Sequence, residues 1–407
     1  MRRLLLLIFI FCSVLNMKGQ TRYRIMMWNV ENLFDCRHDT LKLDEEFLPE
    51  SERRWTWGRY WRKVEDVGRV IMGVGDDMPP ALVGLAEVEN DSVMISLTKM
   101  GSLRALGYDY VMTDSPDQRG VDVALMFLPQ LFRIIGCESK RIPSSEYGFR
   151  PTRDLLHAWG RVMNGDTLHI VVCHLPSRAG DSRENRKNRT LSVATLVSLI
   201  DSLQTNVSQC RLLVMGDFNA TIRDRSLKPL RKITSMKTLT PDNRRPKIGT
   251  YRYKGNWGWI DHILVSESLY VGDECKARLY FQPWMQRMMN DGTWYPRRTY
   301  LGTSYAGGVS DHLPIFSDLL GVSIKDILSA GISCAPATTR VTTYSIAFSN
   351  NPDEWDAYIK RKDKLILNPD EYNKTVITVI DYAIEFGNYK FLKYLIDKNY
   401  IFTAIFF

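Results

Sequence analysis

Acids, amides and imidazoles recur along this chain, each near the end of a short apolar run. In LLVMGDFNA, Leu212–Ala220, four apolar residues read as a buried strand that Gly216 stops, and Asp217 and Asn219 follow. Side chains alternate along a strand, so Asp217 and Asn219 point one way while Phe218 turns into packing. A carboxylate beside an amide can hold a water and an oxyanion together, as hydrolysis of an ester requires. A lone Asp-x-Asn closes a strand with an Asx turn equally well, so recurrence carries the weight. Tyr23–Val30 is a strand-like run ending in Trp28-Asn29-Val30-Glu31-Asn32-Leu33, where Asn29 and Glu31 are two apart and on one face if the strand persists. Ala81–Asn90 ends in Glu87 and Glu89, and Arg119–Phe127 holds Asp122 near its start. Leu168–Arg178 finishes with His174 and Arg178. Trp257–Val265 carries Asp261 and His262, and in Val309–Phe316 Asp311 and His312 precede another apolar run.

The elements that must position these groups are short buried strands with helices between them. Val64–Met72 reads as an amphipathic helix with Val64, Val67, Val70 and Ile71 inward. Ahead of it the aromatic and basic stretch Arg53–Lys63 either stacks on bases or sugars or packs a loop onto a sheet. Asp181–Arg189 is strongly charged and opens a second helix through Leu191–Leu203.

At 407 residues, with 44% hydrophobic and 11% aromatic content, the chain is long enough for one large domain plus an appendage. Arg2 and Arg3 followed by apolar Leu4–Phe11 form a secretory leader, too short to span a bilayer, with cleavage expected after Gly19. Cys12 follows bulky Phe11, which argues against a lipoprotein. Loss of the leader removes Arg2, Arg3 and Lys18, so the net charge falls from +8 to +5 and still favours polyanionic substrates. Six cysteines remain, without CxxC or regular spacing. They read as core thiols or at most one or two export-compatible disulfides, and exclude a zinc-ribbon type of site.

WNVENL, GLAEVE, CHLPSR, GDFNA, WIDHILVS and SDHLPI, in this order, resemble the endonuclease/exonuclease/phosphatase superfamily over roughly Thr21–Leu320. That resemblance implies an α+β, four-layer sandwich: two packed mixed β-sheets flanked by helices, with one divalent-metal site at a common end of the sheets. It implies Glu87 as principal metal ligand, with Asn29, Glu31 and Asp311 beside it. Asp217 would orient or deprotonate the attacking water, Asn219 and Asn29 would hold phosphate, and His174 would bind a phosphate oxygen. His312 would be the catalytic histidine and Asp261 its paired carboxylate. Oxygen donors of this kind suit Mg²⁺, with Mn²⁺ as a substitute. Imidazolium at His312 and His174 would stabilise growing phosphate charge, with a general-base His312 as the rival assignment.

Beyond Leu320 the motifs end, and Gly321–Phe407 carries ten basic and ten acidic residues, so the positive balance sits in the preceding domain. Thr378–Lys398 resembles a single ankyrin-type helix pair, and an ordinary helical hairpin reads as well. The expected organisation is a leader over 1–19, the phosphoesterase domain over 20–320 and a mainly helical extension over 321–407. The expected protein is exported, monomeric and without a stable membrane span. Its expected activity is endonucleolytic cleavage of nucleic acid, supported by Arg119, Arg178 and Arg183 near the motifs. A phosphomonoesterase or sphingomyelinase-like lipid phosphodiesterase on the same site is the alternative, with Phe281–Tyr295 as its apolar loop. A catalytically dead binding module would lack part of the acid and histidine set, which is complete here.

Overall fold

The computed structural model describes residues 23–319, apart from 77, 164, 178–182, 245 and 290–291. The leader, Arg178 and the C-terminal extension lie outside the described residues. In chain order the main strands are β1 (Tyr23–Leu33), β2 (Leu82–Val88), β3 (Asp109–Met112), β4 (Asp122–Phe127), β5 (Phe132–Lys140) and β6 (Leu155–Val162). They continue with β7 (Thr167–His174), β8 (Arg211–Asp217), β9 (Met236–Thr238), β10 (Asp261–Ser266), β11 (Arg278–Leu279) and β12 (Ile315–Leu319).

One six-stranded sheet runs β11-β12-β1-β2-β4-β3 and the other β5-β6-β7-β8-β10-β9. Each centres on a parallel pair, β1 with β2 and β7 with β8, and the remaining neighbours are antiparallel. Parallel neighbours need a long crossover, and here each crossover contains a helix. These are α1 (Trp57–Gly75), between β1 and β2, and α2 (Arg183–Asn206), between β7 and β8. The same unit therefore appears in both sheets. The carboxyl ends of its four strands carry Asn29 and Glu31, Glu87, His174 and Asp217, where open α/β sheets bind their ligands.

The second sheet is covered on both faces, which is why β8 reads as an unbroken apolar run. Leu213 and Met215 enter the core between the sheets with Ile25, Met27, Val123, Leu125, Ile170 and Val172. Leu212 and Val214 face outward with Val171 and Cys173, against Leu196 and Ile200 of α2. On the first sheet α1 lies along β1 and buries Tyr60, Val64, Val67, Val70 and Ile71. Helix, sheet, sheet, helix is the four-layer sandwich.

Two local readings change. Gly216 does not stop β8 but lies within it, paired with Cys173 on one side and His262 on the other. And α1 begins at Trp57, seven residues ahead of the stretch expected, so it absorbs much of the aromatic and basic patch. Trp55 just before it is buried and donates its indole N–H to the Phe34 carbonyl at 2.9 Å, a packing role. Ile95–Gly107 falls in a separate unit, where it forms a π-helical turn (Ser96–Met100) and a 3-10 turn (Ser102–Leu106). Cys36, Cys137, Cys173, Cys210 and Cys275 are free thiols. No helix among the described residues is long and apolar enough to cross a membrane.

One buried ion pair ties the first sheet to α1. Arg24 faces Asp318 across β1 and β12 and grips it with both ends of its fork, at 2.7 and 3.0 Å. Its Nη1 donates to the Val74 and Gly75 carbonyls at the C-terminus of α1, where a cation complements the helix dipole. Burial alone would raise the Asp318 pKa, but the Arg24 bond and the Arg24 and Arg278 charges hold it below the usual value. A depressed folded-state pKa contributes stability above the unfolded carboxylate value and loses it as pH falls through the folded one. Asp318→Asn strands a buried guanidinium and is expected to cost about 3–5 kcal/mol at pH 7. Urea midpoints at pH 7 and pH 3 check this: the gap between wild type and variant should shrink in acid.

Candidate active site

The strand ends in the first sheet are kinked rather than regular. Glu31 and Asn32 have φ of 50° and 49°, and Glu87 has φ of 63°, a region costly for residues with a side chain. At the same places the β1/β2 and β2/β4 registers shift. The kinks are held by side chains of the site itself. Asn29 Oδ1 accepts the Glu31 N–H, and Glu87 Oε2 accepts the Asn32 N–H, each at 2.9 Å. The expected simple alternation of Asn29 and Glu31 therefore fails, because a bulge intervenes.

In the second sheet the arrangement is regular. His174 pairs with Asp217 across the parallel β7/β8 register, and Asp261 pairs with Asp217 across β8/β10, so one rung carries all three. Asn219 follows at φ 50°, closing an Asx turn in which its N–H donates to Asp217 Oδ1 at 2.8 Å. Phe218 is buried in the outer core, as alternation predicts. His312 reaches this rung from the segment before β12, tied to β1 by two bonds. Trp28 Nε1 donates to its carbonyl at 3.0 Å, while Ser310 Oγ accepts its N–H at 2.9 Å and donates to the Asn29 carbonyl at 2.7 Å.

These elements converge on one oxygen. Asp217 Oδ2 accepts from Asn29 Nδ2 at 3.0 Å and from Asn219 Nδ2 at 3.3 Å. His174 Nε2 and His312 Nε2 stand 3.6 and 3.8 Å from it, too long for direct hydrogen bonds and suited to an intervening water. Behind His312, Asp261 Oδ2 takes Nδ1 at 2.8 Å, which fixes the ring and turns Nε2 toward Asp217. Asn219 also donates to the Leu175 carbonyl at 2.9 Å, so its amide steadies the turn and Asp217 rather than reaching outward.

Electrostatics divides the two imidazoles. Burial pushes Asp217 up to about 7, reinforced by Asp261 and opposed by His312. Burial would lower His312, but Asp261, Asp217 and Asp311 together raise it well above the ordinary imidazole value. His174 is lowered well below that value by burial, then by Arg153 and Arg119. The two positions expected to carry imidazolium therefore differ: the surrounding acids favour the protonated ring at His312, whereas burial, reinforced by Arg153 and Arg119, favours the neutral ring at His174.

The acids of the first sheet form a neighbouring group. Glu31 Oε2 accepts the Thr299 N–H at 2.7 Å; burial, then the charge of Asp311, pushes the carboxyl up to about 7. Glu87 Oε1 lies 3.8 Å from both His174 Nε2 and Arg119 Nη2. Arg119 donates to Asn32 Oδ1 at 2.9 Å, and Asp311 Oδ2 meets Arg298 Nη2 at 3.1 Å. Lys63, buried on α1, donates to the Glu31 carbonyl and to Thr299 Oγ1, and feels the charges of Glu31, Glu87 and Asp311. Burial brings Lys63 down to about 8 against the pull of those acids.

Among the described residues, Asp217, Asp261 and His312 are the group whose ligand atoms lie within 4.8 Å of one another; Glu31, Glu87 and Asp311 are not gathered that closely. In the closer group the imidazole is already bonded to Asp261 and the Asp217 carboxylate to two amides, so it reads as a hydrogen-bonded relay. Glu31, Glu87 and Asp311 offer only oxygen. That donor set fits a hard divalent cation. Asn29 spends its amide on Asp217 and one carbonyl lone pair on Glu31.

Other strand-end groups serve packing. Asp122 accepts from Thr113 Oγ1 and the Ser115 N–H, Glu89 from the Asp35 N–H, and His262 bridges Thr240 Oγ1 and the Ala220 carbonyl. Arg298, Tyr251 and Arg153 carried no signal in sequence. Lys63 joins the buried stripe of α1 with Tyr60, Val64 and Val67, which shows only once the helix is seen to begin at Trp57.

The sequence profile of the Endonuclease/Exonuclease/phosphatase family matches residues 24–320. No curated protein matches the chain. Among solved structures, the human Nocturnin catalytic domain with bound sulfate anion is similar at 19% identity, with a TM-score of 0.45, covering 73% of this chain and 93% of that one. Truncated Caenorhabditis elegans TDP2 is similar at 17% identity and a TM-score of 0.48, covering 73% and 97%. An endonuclease/exonuclease/phosphatase family protein from Bacteroides thetaiotaomicron is similar at 14% identity and a TM-score of 0.47, covering 73% and 94%.

Proposed function

The chain belongs to the endonuclease/exonuclease/phosphatase family, and from that premise we propose that it is a Mg²⁺-dependent phosphodiesterase that cuts nucleic acid. The observation that carries this reading is the convergence of Asn29, Asn219, His174 and His312 on Asp217 Oδ2, with Asp261 behind His312. Asp217, raised to about 7, orients the attacking water and takes its proton. His312, held protonated by three acids, donates toward the phosphate or the leaving oxygen, which favours an acid role over a base one. Neutral His174 donates an N–H to a phosphate oxygen. Glu87, Asp311 and Glu31 would hold the cation, which when bound supplies Lewis acidity at the phosphoryl oxygen. Mn²⁺, with similar ligand preferences, would substitute.

Arg119 beside Glu87 and the positive balance of the domain support a polyanionic substrate over a lipid. One observation favours a lipid instead: the ribbon Gln286–Met288 with Trp294–Pro296 exposes Met288 and Trp294 and runs directly into Arg297–Thr299. The basic and apolar start of the chain supports export, and the end of the motifs near Leu320 supports a separate extension.

Assaying the full mature chain with Mg²⁺ against plasmid DNA, RNA, bis-p-nitrophenyl phosphate and sphingomyelin vesicles tests the substrate class. Polymer binding releases counterions, so log KM for DNA should rise with log salt by about 0.9 for each phosphate neutralised. A flat salt profile together with cleavage of vesicles would end the nucleic-acid reading in favour of the lipid one.

A further inference from the structure

We infer that Arg298 is an exchangeable counter-ion: it pairs with Asp311 until a divalent cation takes that carboxylate, and then docks the substrate's phosphate. The inference rests on the cation site proposed above. Three cationic side chains lie among Glu31, Glu87 and Asp311, and they differ in freedom. Lys63 is only 3% exposed and pinned by Thr299 and the Glu31 carbonyl, so it cannot swing away from the acids. Arg119 is anchored to Asn32 Oδ1 and pairs with Glu87 only at 3.8 Å, beyond hydrogen-bond distance. Arg298 is the one among the described residues that both pairs closely with a proposed ligand, Asp311 at 3.1 Å, and keeps a side chain 39% exposed. Its guanidinium can leave without unpacking a core.

Its second anchor sets where it goes. Arg298 Nη2 donates to the Tyr251 hydroxyl at 3.0 Å, and the Tyr251 ring lies 4.8 Å from the His312 ring. Tyr251 also bridges His312 through the main chain. A guanidinium released from Asp311 but held by Tyr251 stays at the rim beside His312, where the phosphate must sit. Its planar fork suits two phosphate oxygens.

Exchange has a thermodynamic signature. A group that must give up Asp311 when the cation binds competes with that cation, so its removal tightens cation binding. The same removal deletes a phosphate contact and weakens substrate. A structural role would not move the two in opposite directions.

The test titrates Mn²⁺ into metal-free full-length protein without substrate, following free Mn²⁺ by electron paramagnetic resonance, with KM measured separately on DNA. Arg298→Met is expected to tighten Mn²⁺ by about 3- to 5-fold, the range of a half-exposed ion pair, and to raise KM by about 10-fold with kcat little changed. Arg298→Lys should fall between. Equal or weaker Mn²⁺ binding in Arg298→Met, or an unchanged KM, overturns the exchange. Should Arg298→Met lose its thermal transition, Tyr251→Phe removes only the second anchor and should raise KM alone; no rise overturns the docking role. Failure of wild type to bind Mn²⁺ sinks the proposed cation site itself and not merely the role of Arg298.

Discussion

Replacing His312 by glutamine should lower kcat on a small phosphodiester by about 10³-fold or more, because it removes the protonated group facing the reacting phosphate. Asp261→Asn should cost somewhat less, about 10²-fold, and the double variant should be no worse than His312→Gln alone. The reason is geometric. Asp261 Oδ2 bonds His312 Nδ1 at 2.8 Å, so it acts through the ring and has nothing to act on once the ring is gone. Independent contributions would multiply instead, and a multiplicative double variant would give Asp261 a separate task. The pH profile carries a second sign. Asp261 is the largest of the charges raising His312, so the wild-type proton is retained above the ordinary imidazole value and its loss sets the alkaline limb, while protonation of Asp217 sets the acidic one. Asp261→Asn weakens that hold, and the alkaline limb should move to lower pH. An unmoved limb would mean that His312 is not the group titrating there.

The rung that His312 joins was legible in sequence because a regular strand imposes period two. Asp217 ends a strand apolar enough to be buried on both faces, and its neighbours His174 and Asp261 end or begin strands of the same kind. Registers of this sort follow from the hydrophobic pattern. Phe218 fell into the outer core for the same reason.

The acidic half was less legible because it is built from irregular backbone. Glu31, Asn32 and Glu87 adopt positive φ, and no alternation rule reports where a side chain points after such a kink. What holds them is long-range: Thr299 reaches Glu31 across 268 residues of chain, and Lys63 arrives from α1. A lysine in an aromatic, basic patch points to stacking or loop packing, and its burial beside the acids shows only once the helix is seen to start at Trp57. His262 and Asp122 sit at strand edges like the site residues but are spent on hydrogen bonds elsewhere. They satisfy buried loops, a role that composition alone does not separate from catalysis.

Gly216 joins fold and site, and Gly216→Ala is expected to be among the most damaging single changes in the domain. Glycine inside a strand is ordinarily a weakness that alanine would mend. Here a methyl group would stand 2.1 Å from the Cys173 carbonyl oxygen and 2.5 Å from its Sγ. Cys173 is the cross-strand partner of Gly216, so that oxygen cannot yield without parting β7 from β8. The next rung is His174 with Asp217, and it would open first. Overpacking of this kind costs about 3 kcal/mol or more when main chain is what must move. Gly84→Ala is the matched control, since its methyl would meet Met215 Cε at 3.0 Å and Met27 Sδ at 3.1 Å, flexible ends that can swing away. It should cost about 1 kcal/mol and leave kcat near wild type. Urea midpoints and the kcat of the folded fraction separate the two variants. A Gly216→Ala protein as stable and active as wild type would show that β7 and β8 need not stay in register for His174 and Asp217 to work together.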